Sequence, residues 1–400
     1  MVRYLRERFQ WEKGKARIRR EAAWNTSEFL QRSGFFNAVH EGRDLDEVWT
    51  AQLRDRVAQK EVERRELLLL DGCHFPERSF SVLDYTLVRF SKDEIDSLGP
   101  APEVVKSFFP HEHLDRDWHS QYWFLCELST AMFPSGEGRF LIPLGDPALE
   151  HWKPLLLLGL YRTECFSIPV IVESDWKWRM QRLRFSDTAV DPVEYRYGPG
   201  EDDVEFDELP MQPYEVTDAD HFRAFLEFFK APMTAVSRWS KNALIVAARR
   251  YLRATLLSDF CGDAPGFSDR DAHEDILLHY VYSLEALFSF GEGGFKDRLV
   301  TRGAWLAAGD DGERERIRDL LSKAYDTRSR LAHGAGSAQG IGLPQLRDIV
   351  RRILAVYLVL AGEFTSQKEL QGFLGSVGFS VDVQQRVIET RSRVTPLLIP

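Results

Sequence analysis

Apolar residues recur at helical spacing over most of the second half of the chain, and in short strand-like runs over a stretch before it. Beyond Asp218 they return every three or four residues almost to the end, the period of about 100° per residue that one face of an α-helix produces. The helices expected are 218–229, 235–260, 271–290, 296–307, 312–333 and 344–364. Between about residues 70 and 185, runs rich in aromatic and β-branched residues alternate with Gly and Pro: 80–90, 123–128, 140–143, 155–161 and 168–173. These read as strands of a largely antiparallel sheet. The first 70 or so residues pattern mainly as helix, with 47–65 strongly charged and 67–70 opening a strand. In the tail, Val383, Val387 and Ile388 support one more short element.

The two patterns meet at Gly198-Pro199-Gly200-Glu201-Asp202-Asp203, followed by Glu205, Asp207, Glu208 and Pro210. Chain breakers with a like-charge run make a solvated linker over about 198–212. The fold class expected is α+β: a mixed α/β domain over 1–212 that senses or binds something, then a helical bundle over 213–400 with its core at about 235–364. A chain of 400 residues suits two domains, since single cores rarely grow past about 250 to 300 residues. No repeat of solenoid period is visible.

Composition narrows the class further. The chain is 44% hydrophobic and 28% charged, ordinary for a globular protein, and its formal net charge of -10 argues against a wholly basic nucleic-acid coat. Cys73, Cys126, Cys165 and Cys261 lie far apart without a CxxC pair, so neither a disulfide framework nor a zinc ribbon is expected. The basic stretch 1–20 carries Glu7 and Glu12 and no apolar core, unlike a signal peptide. The apolar run 155–160 is far short of a membrane span. A cytoplasmic protein with no membrane partner is the expectation.

One segment breaks its own pattern. In Tyr325-Asp-Thr-Arg328-Ser329-Arg330-Leu-Ala-His333-Gly334 an arginine stands where the helix wants an apolar residue. Ile317, Leu320, Leu321, Ala324, Tyr325, Leu331 and Ala332 form a stripe, and Arg328 falls in its middle, so it should be buried or interfacial. It either snorkels from a core edge or pairs with a carboxylate, or it serves a site. His333 can exchange a proton near neutral pH. Gly334 and Gly336 directly after it read as a helix stop, and the negative end of the helix favours imidazolium. Arg328 and His333 are five apart, so on a straight helix they point about 140° from one another. They converge only if the helix bends between them or if two chains meet.

The preceding helix carries Leu284-Glu285-Ala286-Leu287-Phe288, with Ile276, Leu277, Tyr280, Leu284, Leu287 and Phe288 on one apolar face and Glu285 at its edge. That string, then Phe295-Lys296-Asp297-Arg298-Leu299, then Tyr325 to Gly334, resembles the Apea-like branch of the HEPN superfamily. The resemblance covers roughly residues 235–364, about a third of the chain. It implies a helical HEPN bundle that forms a homodimer in which two Arg-x4-6-His motifs face one another. Many members are metal-independent endoribonucleases, and others are inactive modules that bind RNA or nucleotide or only pair chains. By resemblance the function is a regulated defence or toxin effector that cleaves RNA, needs no cofactor or metal, and answers to a trigger not readable from the sequence.

The residue chemistry agrees. Cleavage of RNA through its own 2'-hydroxyl needs a base, an acid for the leaving 5'-oxygen, and positive charge against the phosphorane. His333 and Arg328 can supply these, and the planar guanidinium fork suits phosphate. One histidine cannot easily serve both sides of a phosphate, so a second His333 from a dimer makes physical sense. Ser329 and Glu285 would support the pair, Ser329 by orienting and Glu285 by holding Arg328 or His333. Arg330, Arg249 and Arg253 could bind RNA, with Arg250, Arg238 and Lys241 extending a phosphate path; a solvated helix face explains the same arginines.

Two other groupings are weaker. His111-Glu-His113-Leu-Asp115-Arg-Asp117-Trp-His119 matches no metal signature and suits a solvated loop. Trp176, Trp178, Arg179, Arg182 and Arg184 interleave aromatic and basic residues as a single-strand groove would, but a half-buried strand yields the same alternation. No Walker loop, GxGxxG after a strand, GxSxG elbow or HExxH occurs, which removes the commonest NTPase, dinucleotide, hydrolase and metalloprotease readings.

Overall fold

The computed structural model describes residues 40–42, 44, 61–70, 72–91, 93–94, 123–132, 151–164, 166, 168, 170–175, 180–185, 214–239, 243–258, 269–288, 294–333, 337–338 and 340–399. The chain divides into two compact units. One comprises 1–69, 85–147 and 169–198; the other comprises 70–84, 148–168 and 199–400.

The first unit is a sheet. β1 (Glu61–Leu70), β4 (Tyr85–Val88), β5 (Trp123–Met132), β6 (Val170–Asp175) and β7 (Met180–Phe185) lie in the order β4-β5-β1-β6-β7, with β4 antiparallel to β5, β1 to β6 and β6 to β7. Trp123, Phe124, Leu125 and Leu87 are buried between antiparallel partners, in keeping with the aromatic and β-branched text of those runs. β1 begins six residues earlier than its leucines, so the charged text up to Arg65 ends in a strand and not a helix. Its register, Arg65 opposite Ser174 and Leu68 opposite Ile171, continues the ladder into that charged half.

The second unit is mostly helical: α1 (Trp152–Tyr161), α2 (Ala219–Val236), α3 (Ala243–Ser258), α4 (Asp269–Phe288), α5 (Phe295–Ala307), α6 (Asp311–Ala332), α7 (Leu343–Ala361), α8 (Gln367–Gly375) and α9 (Val381–Val394). β2 (Cys73–His74) and β8 (Tyr214–Glu215) form a short parallel pair, and β3 (Ser79–Val82) lies in the same unit. The single boundary expected near 212 is therefore replaced by a chain that passes into the helical unit three times. Leu155 to Leu158 explain part of this. Read as a strand, they form α1 instead, because leucine lacks the β-branch and is a strong helix former, and a short apolar run carries no period to decide the matter. α1 is buried on all sides, and Tyr251 Oη and Tyr214 Oη donate hydrogen bonds to its Gly159 and Leu158 carbonyls.

α7 is the core. Fourteen of the sixteen residues from Leu346 to Ala361 are buried, all but Asp348 and Arg352, the mark of a helix largely surrounded by protein. α1 to α6, α8 and α9 all pack on it. Its buried Arg351 donates through its two Nη atoms to Asp348 at 2.8 Å and to the Tyr161 and Ile399 carbonyls at 3.3 and 2.5 Å, while its Nε is buried without a hydrogen bond.

Caps set several boundaries. Asp218 accepts from His221 N–H to start α2, which runs seven residues past its expected end, through Pro232. Ser237 closes it by donating to the Met233 carbonyl, so the helix expected over 235–260 begins only at Ala243. Asp310 caps α6 through Glu313 N–H, and Glu313 accepts in return from Gly309 N–H. The tail holds two capped helices where one element was expected; Ser366 and Ser380 start them. Cys73 is buried and Cys126 half-buried. Among the described residues no helix is long and apolar enough to cross a membrane. The linker 198–212, apart from its division between units, lies outside the described residues.

Two glycines mark where helices touch most closely. A Cβ on Gly362 would meet Pro232 Cα at 2.8 Å, whereas one on Gly303 would meet the side-chain tips Leu321 Cδ1 at 2.9 Å and Ile353 Cδ1 at 3.2 Å. Backbone cannot yield as a methyl tip can. Gly362→Ala is expected to destabilise by about 1–3 kcal/mol, and Gly303→Ala to stay within about 1 kcal/mol because alanine's helix propensity offsets the crowding. Urea unfolding of the two variants checks the ranking; equal losses would contradict it.

Candidate functional site

The C-terminal half of α6 is where three segments meet. From α4, Glu285 Oε2 accepts a hydrogen bond from Arg328 Nη2 at 3.0 Å, and the ring of Tyr282, one turn earlier, lies 5.0 Å from the Arg328 guanidinium carbon. From the start of α5, Phe295 packs against Tyr325 with ring centroids 5.9 Å apart, and Lys296 Nζ pairs with Asp326 at 2.6 Å. Each of the three strings picked out in the sequence thus contributes side chains to one place.

Arg328 does not occupy the middle of the apolar stripe. That position falls to Thr327, buried with Ile317, Leu321 and Ala324; Arg328, Tyr325 and Leu331 are half-buried and Ala332 is exposed. The Arg328 side chain keeps 25% of its exposure and Glu285 19%. α4 covers this edge of α6 with a phenol ring and a carboxylate, groups that hold a guanidinium, so the arginine is neither a free snorkelling chain nor a core residue. Its Nε is buried without a hydrogen bond.

His333 caps the helix at φ -100° and ψ 11°, donates its N–H to the Arg330 carbonyl at 3.1 Å, and is exposed. Gly334 and Gly336 lie outside the described residues. Among the described residues no hydrogen bond or ring contact joins Arg328 to His333. Of the supporting residues, Glu285 holds Arg328, while Ser329 is half-buried and makes no side-chain hydrogen bond among the described residues. Arg330 is exposed and donates to Thr327 Oγ1 at 3.0 Å. The chain matches no family model, no curated protein and no solved structure.

A neighbouring group joins Arg250, one of the arginines of the possible phosphate path, to two residues of α4 given no role in the sequence. On α3, Arg250 is exposed; its Nη1 lies 3.3 Å from His279 Nδ1, and its guanidinium carbon lies 5.6 Å from the Tyr282 ring centroid. Arginine has no acceptor, so Nδ1 accepts and the imidazole proton sits on Nε2. Burial, then the charges of Arg250 and Arg253, push His279 down to about 4, which keeps it neutral and able to accept. Arg249 is exposed and Arg253 half-buried, and both make contacts within the molecule. His279, Tyr282 and Glu285 recur at three-residue spacing on α4, which is the signal a reader of the sequence could have used.

Other expected groupings separate. Met180–Phe185 is a strand, as the alternation suggested, with Arg182 opposite Glu173 and Arg184 opposite Ile171. Trp176 to Arg179, Lys241 and the histidine cluster 111–119 lie outside the described residues. A cavity of about 1010 Å³ opens elsewhere, lined by the N-terminal halves of α4 and α6 and by α7. It excludes Arg328 and His333, and its Arg351 and Arg352 are spoken for by Asp348, Glu313 and backbone carbonyls. Chemistry favours the edge at Arg328 over the larger space.

Burial raises the Glu285 carboxyl above its usual 4.5, and Arg328 draws it back only in part. A carboxyl raised on folding favours the folded state in acid, and that contribution fades as pH rises through the folded value. Measured by urea unfolding from pH 4 to 7, wild type should therefore gain stability relative to Glu285→Gln as the pH falls through a window just above 4.5. A relative loss over that window would mean that Arg328 dominates the carboxyl.

Proposed function

We propose that the helical unit is a metal-independent endoribonuclease of the Apea-like HEPN type that acts as a homodimer, serving as a regulated defence or toxin effector, with the sheet-containing unit as the sensing or binding part. The observation that carries this reading is the convergence of the three strings at the end of α6, with Glu285 holding Arg328 five residues before an exposed His333.

Each residue then has a task. Arg328, fixed by Glu285 and Tyr282, has no hydrogen bond at Nη1 among the described residues and can place it against a phosphate oxygen as charge grows there. One His333 takes the 2'-hydroxyl proton as that oxygen attacks phosphorus. A second copy of His333, protonated, gives a proton to the departing 5'-oxygen as the P–O5' bond breaks. The products are a 2',3'-cyclic phosphate and a 5'-hydroxyl. Because Arg328 is tied to α4 while His333 stands at the helix end, the pair works across two chains more readily than within one.

A second reading, an inactive HEPN module that binds RNA or nucleotide or only pairs chains, draws on the same ion pair: Glu285 already neutralises Arg328, as a structural pair would.

Incubation of the purified protein with RNA in EDTA separates the readings. Fragments ending in 2',3'-cyclic phosphate are expected, with the rate falling about 100-fold or more in Arg328→Ala and in His333→Ala. Wild-type rates in both variants would sink the assignment, and uncut RNA with the unaltered protein would favour the second reading.

A further inference from the structure

Arg250 is a cation held in place by groups that do not neutralise it. Two other exposed arginines of the helical unit are neutralised by carboxylates: Arg223 has Glu77 and Asp220, and Arg386 has Glu363. Among the described residues no carboxylate pairs with Arg250; its contacts are the neutral acceptor of His279 and the face of Tyr282. The same ring carries Arg328 on its way to the Glu285 carboxylate. Two guanidiniums therefore gather at one phenol, with Glu285 the carboxylate bound there. A guanidinium oriented by a ring and a neutral nitrogen keeps its charge and has lost part of its rotamer freedom beforehand, the two properties an oxyanion site needs.

The platform also has a direction. Ile276 and Tyr280 of α4 line the same cavity as Ile317 and Leu320 of α6, while Tyr282 and Glu285 further along α4 meet Arg328 further along α6. The two helices run the same way. From His279 to Glu285 is six residues, about 9 Å of helix rise, and α6 continues past Arg328 to His333.

We infer that Arg250, Tyr282 and Arg328 form a phosphodiester-binding platform that carries a single RNA strand along α4 toward His333. Arg250 grips a phosphate remote from the reacting one, Tyr282 sets both arginines, and His279 is a positioning residue for Arg250. The identity of the polymer rests on the ribonuclease reading; the platform itself rests on the uncompensated guanidinium.

The test is fluorescence anisotropy of a labelled single-stranded RNA oligonucleotide on the full chain carrying His333→Ala, so that the probe survives, repeated across a salt series. Adding Arg250→Gln should weaken binding roughly tenfold and lower the slope of log Kd against log salt by about 0.7, the loss of one phosphate contact on a single strand. Tyr282→Phe, which keeps the ring face, should bind within about twofold of the reference, and Tyr282→Ala should resemble Arg250→Gln. Unchanged affinity and slope in Arg250→Gln overturn the platform and leave the ribonuclease reading standing, as does a reference chain that cuts RNA with His333 intact yet shows no salt-dependent binding. Weakened binding in Arg250→Gln, with no cleavage by the unaltered chain, upholds the platform and removes the ribonuclease reading. Arg250 is exposed, so thermal unfolding of Arg250→Gln should match the reference and separate lost binding from lost fold.

Discussion

Beyond its exposed first turn and the half-buried Asp348 and Arg352, α7 is buried, and the helical unit is arranged around that constraint. A helix with so many buried positions cannot be a surface element; it is stable only when neighbours close over most of it. Eight other helices do so among the described residues, which obliges each to turn an apolar stripe inward and leaves its polar edge at the rim. α4 and α6 both meet α7 in this way. Lying side by side and running in the same direction, they bring their C-terminal halves together, and the polar edges that meet there are Tyr282 and Glu285 on one helix and Arg328 on the other. The candidate site is a by-product of core packing before it is anything chemical.

The close contacts belong to the same arrangement. Gly362 lets the end of α7 approach the backbone at Pro232 of α2, and Gly303 lets α5 lie against Leu321 and Ile353. Some polar groups forced inward by so crowded a core find partners there, in backbone or in other side chains. Arg391 reaches the Trp305 and Gly309 carbonyls, and Gln371 bonds Arg302 and Tyr357.

The sequence made the long periodic helices legible to within a few residues, because α4, α5, α6 and α7 each repeat an apolar stripe over several turns and α6 adds a cap. Where the signal was short or had no period, it misled. The leucines of α1 read equally as strand or helix, the charged half of β1 drew a helical reading that its pairing with β6 overrules, and the helix expected to start at 235 starts at Ala243, after the cap at Ser237. The Glu285 partnership was visible as one of two equal options, since an edge carboxylate on a neighbouring helix is a natural mate for an arginine. The spacing of His279, Tyr282 and Glu285 was legible on α4, but their meeting with Arg250 was not, because it depends on how α3 lies across α4, and no local period encodes the azimuth of one helix on another.

Glu285 has a consequence of its own. A carboxylate tethered 3.0 Å from Arg328 behaves as an internal competitor at high effective concentration. Any external anion reaching that guanidinium must outcompete a ligand that is never diluted away. A lone inorganic ion, with one attachment point, meets that threshold poorly, whereas a polymer anchored at several neighbouring charges arrives with a local concentration of its own. On the ribonuclease reading proposed above, the ion pair acts as a valency filter, tuning the arginine toward chains of negative charge over the small anions dissolved around it.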